Sequence, residues 1–195
     1  DAMALKSAVI VWVEQEGFTF DPPINPSQKS DRGFTNNTTG KFLCPVGMNW
    51  LDISTRCAIQ RGEIVIPSTA WPMMLYNCLI YYPNDPWNGF LHGQILVKTY
   101  MHIFVSPSTG RDIENFNSAV TISSIAYAAT QARHALSPLP TLAMKDHKRK
   151  LPESRVFYGS LMQLLEDLEQ KHEVEALISW WNQCDALISN NAISF

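Results

Sequence analysis

A chain of 195 residues, 46 % hydrophobic and 17 % charged, fits one ordinary globular domain, long enough to bury roughly 70 % of its unfolded surface without covalent staples. A net charge of −3 argues against a protein built as a whole to neutralise phosphates. Four cysteines, at 44, 57, 78 and 184, are too few for a disulfide scaffold and read as reduced thiols of a cytoplasmic or nuclear protein.

The elements follow in order. Leu5, Ala8, Val9, Trp12 and Val13 keep the i, i+3, i+4, i+7, i+8 spacing of one helix over 3–15, and Gly17 is its natural stop. From 18 to 88 the texture changes, and eight of the twelve prolines fall there. Proline removes a backbone donor and blocks helix continuation, so this segment is expected to be irregular. Residues 21–40 read as a polar, turn-rich excursion, longer than an ordinary connection. Two short helices are expected inside the region: one over 53–61 capped by Asp52, and one over 69–76 capped by Ser68. Residues 63–66 read as an extended piece. The aromatics Trp50, Trp71, Tyr76, Tyr81, Tyr82 and Trp87 should pack the segment against the rest of the domain.

The stretch 89–105 reads as a buried central helix with Asn88 as its N-cap. Phe90, Val97, Tyr100, Met101 and Phe104 give it a broad apolar face, and only Gln94, Lys98 and His102 make a polar stripe. At 17 residues with a lysine and two histidines it is too short and too polar for a membrane span. Gly93, on the apolar side, invites close approach of a neighbouring backbone. After a polar loop over 108–119, Thr121 starts a helix with Ile125, Ala128, Ala129, Ala132 and Leu136 on one face. So many alanines predict a close helix–helix contact, ended by Pro138 and Pro140. A basic loop over 144–150 leads to a helix from about 152 to 170, with Phe157, Leu161, Leu164, Leu165 and Leu168 as its seam. A last helix, about 173–188, carries Val174, Leu177, Ile178, Trp181, Cys184 and Ile188 inward. The two seams are out of phase, which predicts a break near 170–172.

The fold class expected is therefore mainly α. It is a single compact helical domain over 1–195 around 89–105, with the proline- and aromatic-rich segment 18–88 packed on it. Because the first residue is Asp1, the chain is expected to be part of a longer one. The serial order of Asp31-Arg-Gly-Phe34, Leu43-Cys-Pro45, Ala70-Trp-Pro72, Tyr82-Pro-Asn-Asp-Pro86, Ile125-Ala-Tyr-Ala-Ala129 and Trp180-Trp-Asn182 resembles a large uncharacterised family, a domain of unknown function expanded in mushroom-forming fungi. The resemblance spans nearly the whole chain and implies no activity, cofactor or catalytic residue.

The chemistry is thin. Structural zinc needs paired ligands such as Cys-x-x-Cys; the cysteines and the five histidines show no such pairing, so neither a metal nor a cofactor is expected. Phosphate-binding glycine loops and a serine nucleophile elbow are missing. Glu166, Asp167, Glu169, Glu173 and Glu175 read as a solvated acidic ridge. The leading expectation is a non-catalytic protein-interaction or assembly module with a protein partner or self-association. Low charge supports it, and Trp180 is the candidate partner-binding anchor. The alternative is a nucleic-acid-associated protein using 145–155, with Lys145, Lys148, Arg149, Lys150 and Arg155 as contacts. A third is an enzyme with a dispersed site built on Cys44 or His102. No membrane partner is expected.

Overall fold

The computed structural model describes residues 2–105, 120–140, 142 and 152–191, with the backbone alone at 2, 3 and 185–191. The expected loop over 108–119 and basic segment 144–150 lie outside the described residues. Within them the chain forms seven α-helices and no sheet: α1 (Ala2–Gln15), α2 (Asn37–Leu43), α3 (Ile53–Gln60), α4 (Gln94–Phe104), α5 (Ile122–Leu136), α6 (Glu153–Leu165) and α7 (Lys171–Asn191). The protein is a mainly α single domain.

Local signals explain several of these helices. α3 starts where the Asp52 carboxylate accepts from the amides of Ser54 and Thr55. α5 starts at a reciprocal capping box between Thr121 and Ser124. α1 buries Leu5, Val9, Ile10 and Val13, and Gly17 leaves it in the left-handed region at φ +84°.

The alanine face of α5 has the consequence expected of it. Ala126, Ala128, Ala129, Ala132 and Ala135 are all buried, and α5 packs against α1, α2, α4 and α6. Side chains this small let several neighbours approach one helix. α4 is buried beside it through Ile95, Leu96, Thr99 and Tyr100, and packs on α1 and α5. The polar stripe of α4 also meets α1: Lys98 Nζ pairs with Glu16 at 2.6 Å, and His102 lies edge-on to Trp12 at 5.7 Å between ring centres.

The structure corrects four local expectations. α4 begins at Gln94, not near 89, because Gly89 (φ +72°) and Leu91 (φ +56°) turn the chain first. No helix covers 69–76. Pro72 is extended, and two separate 3-10 turns follow at 73–75 and 77–79, with Cys78 and Leu79 at positive φ. Inside the supposed loop 21–40, Asn36 accepts from the amides of Thr38 and Thr39 and starts α2. Finally, the break between the last helices comes earlier. α6 ends at Leu165 and a 3-10 turn at 168–170 precedes α7. Leu168, expected inward, is 85 % exposed as a result.

The excursion 18–36 is tied into the core by Arg32, which is completely buried. Its guanidinium donates to the carbonyls of Lys6 at 2.9 Å, Pro26 at 2.7 Å, Gln28 at 3.3 Å and Ala135. One side chain thus joins α1, the excursion and the end of α5. Gly33, next to it, holds φ +79°, and a Cβ there would lie 2.6 Å from the Pro138 ring.

Gly93 performs the close approach expected of it. A Cβ at this position would stand 2.0 Å from the Met74 carbonyl oxygen, a backbone atom that cannot move alone. Gly93→Ala should therefore destabilise the fold by about 1–3 kcal/mol or more, the usual range for overpacking. Urea unfolding measures this directly, and an unchanged midpoint would show that the two backbones are not in contact.

Candidate functional site

Two apolar clusters meet imperfectly in this fold. The main core runs through α1, α4, α5, α6 and α7. A smaller one gathers Cys44, Trp50 and Ile59, with Phe34, Ile64, Ile66 and Met73 packed on it. Between them lies a half-open pocket of about 280 Å³. Its apolar lining includes Phe34, Leu43, Ile59, Ile64 and Ile66 together with Phe157, Pro138 and Leu139.

The polar groups of the pocket come from two helix ends. The last turns of α5 supply Thr130, Arg133, His134 and Ser137, and the first turn of α6 supplies Glu153 and Ser154. The Arg133 guanidinium lies over the Phe157 ring at 4.4 Å, a stacking that suits a planar cation. Its Nη1 donates to the Ser68 carbonyl at 2.6 Å. Burial pulls the group down to about 10, and the charge of Glu153 opposes this only in part.

Behind the pocket, two basic side chains close the C-terminal end of α5. Lys29 Nζ donates to the carbonyls of His134 at 2.6 Å and Leu139 at 2.5 Å, and lies 3.2 Å from His134 Nε2. Arg32 takes the Ala135 carbonyl. Burial, then the charges of Lys6 and Arg32, pulls Lys29 down to about 7. Burial first, then Lys29, Lys6 and Arg32, pulls His134 to about 4, so its ring is neutral at pH 7.

The residues singled out from sequence are dispersed. Trp180 is half-buried, edge-on to His92 at 4.0 Å and to Trp181 at 5.5 Å between ring centres. Arg155 is exposed on α6; Lys145, Lys148, Arg149 and Lys150 lie outside the described residues. Cys44 is buried, and desolvation pushes its thiol up to about 11. A nucleophilic cysteine needs the opposite shift. His102 is half-buried against Trp12, with its pKa lowered by burial first. Glu166, Asp167, Glu169, Glu173 and Glu175 are all exposed. Among the described residues no three His, Cys, Asp or Glu side chains gather as metal ligands, and no helix is long and apolar enough to cross a membrane. Arg133 and His134 were passed over in the sequence because they sit in an alanine-rich helix.

The chain belongs to a family of unknown function (DUF6698), whose model matches residues 1–184. No curated protein and no solved structure matches it.

The lysine behind the pocket gives stability a pH dependence with a definite sign. Between about 7 and its ordinary 10.5, the unfolded chain holds a proton on Lys29 that the folded chain has released, so stability rises with pH across that window. Cys44 opposes this only above its ordinary 9.0, where the unfolded thiol ionises and the folded one does not. From about pH 7 to 9, urea midpoints should rise in the wild type and rise less in Lys29→Met. Equal slopes in the two proteins would contradict the assignment.

Proposed function

We propose that this protein is a non-catalytic protein-interaction module working in the cytoplasm or nucleus. The observation that carries the proposal is a pinned, exposed apolar run at 48–53. Met48 is 37 % exposed, Leu51 74 % and Ile53 65 %, while Trp50 between them is buried. Scattered exposed apolar residues are ordinary on any surface. Three within six residues of one well-held segment are better suited to a partner.

The hold on the run is specific. The Trp50 indole donates to the Asn37 carbonyl at 2.9 Å and its ring lies against Phe34 at 5.9 Å between centres. The Trp50 ring fills the space where a Cβ on Gly40 would stand, only 2.2 Å away. On the other flank Asp52 caps α3 through Ser54 and Thr55. Leu51 and Ile53 are thus displayed from a backbone that is already ordered, which reduces the ordering entropy of binding. This run, more than the half-buried Trp180, is the surface on which the interaction reading rests. The low charged fraction of 17 % and the protonated, buried Cys44 support the same reading.

The test is affinity capture of the tagged protein from nuclease-treated extract of its own cells, wild type against Leu51→Asp/Ile53→Asp. The expected result is a stoichiometric protein partner held by the wild type and lost by the variant. Hot-spot losses of about 2 kcal/mol or more weaken affinity by roughly 30-fold. Circular dichroism melts should show the variant still folded. Identical captured proteins in both samples would reject the run as the interface. Partners that vanish with nuclease would instead favour the basic segment 145–155.

A further inference from the structure

The pocket between α3, α5 and α6 has a chemistry of its own, independent of the apolar run at 48–53. We propose that it binds a small apolar carboxylate of the medium-chain fatty acid or aryl acid class. The carboxylate sits on the Arg133 guanidinium, and the tail lies between Phe34, Ile59, Ile64 and Ile66.

Four observations converge on that ligand. The walls are apolar over most of their extent and come from two separate clusters, so the gap between them is built by the fold rather than by one mobile loop. Arg133 lines the gap, and among the described residues its single hydrogen bond goes to the Ser68 carbonyl. A guanidinium carries five N–H donors, more than the Ser68 carbonyl takes up, and its stacking on Phe157 suits side-on recognition of a carboxylate. The first turn of α6 faces the same space through Glu153 and Ser154, and its N-cap, Pro152, offers no side chain to the first amides. The opposing negative end of α5 is already closed by Lys29 and Arg32.

Glu153 is the acid on the pocket lining, and it limits affinity without reversing the preference. Its charge favours the Arg133 cation, but burial opposes that cation more strongly. The volume sets the size of the tail. Pockets for drug-sized molecules run from about 300 to 1,000 Å³, so one of about 280 Å³ suits a smaller molecule.

The experiment is isothermal titration of the full chain with three probes sharing one tail: octanoate, 1-octanol and octylamine. Octanoate should bind most tightly. Arg133→Met should weaken octanoate at least ~10-fold, the scale of a charged hydrogen bond, and leave 1-octanol nearly unchanged. Glu153→Gln should tighten octanoate, and Ile64→Trp, which fills the gap, should abolish binding of both. These two variants decide the matter if Arg133→Met fails to fold. No heat from octanoate with the folded wild type would overturn the proposal. So would 1-octanol binding as tightly as octanoate, or octylamine binding more tightly.

Discussion

A buried guanidinium that meets no carboxylate among the described residues is the constraint on which much of this structure depends. Removing a charge from water costs several kcal/mol even after relaxation, and a cation tolerates burial only when strong acceptors surround it. Arg32 finds them in four main-chain carbonyls, of Lys6, Pro26, Gln28 and Ala135. Three stretches of chain distant in sequence must therefore stay in register with one planar group. The carbonyl of Ala135 belongs to the end of α5, so the same contact also satisfies an acceptor that the helix itself leaves open.

The order imposed there propagates outward. Fixing Arg32 fixes Gly33 against Pro138 and Phe34 against Trp50. Phe34 is a wall of the pocket, and Trp50 is the peg that displays Leu51 and Ile53. Asn36 then starts α2, whose Gly40 gives the Trp50 ring its room. The two surfaces assigned to function, one an interior gap with a cation and one an exterior apolar run, rest on the same short segment 32–36. Asp31-Arg-Gly-Phe34, weak as a motif, acquires a physical meaning through these contacts.

What was legible in the sequence was mostly local. The caps at Asp52 and Thr121, the stop at Gly17 and the alanine face of α5 depend on neighbours a few residues away, and each is where the pattern put it. The close approach at Gly93 was also legible, although the glycine stands before α4 as its N-cap and not on its apolar face. α2 was hidden because Thr38, Thr39 and Gly40 are poor helix formers, and burial overrides their preference. Periodicity carried the α4 pattern back through Phe90, but positive φ at Gly89 and Leu91 breaks it. Leu168 continues the α6 seam in sequence while the helix has already ended. The pocket was not legible at all. Lys29 meets His134 across 105 residues, and Arg133 meets Ser68 across 65. No spacing rule connects such pairs, and the apolar walls look like ordinary core until two clusters are seen not to close.

The most direct measurement is amide hydrogen exchange of the full chain, wild type against Arg32→Met, which keeps bulk at the site and removes the donors. If the guanidinium organises this side of the molecule, protection should fall first across 21–43 and in the last turn of α5, with α7 much less affected. Exchange across 21–43 that is unchanged by the substitution would contradict the account, because the excursion would then be held by packing alone.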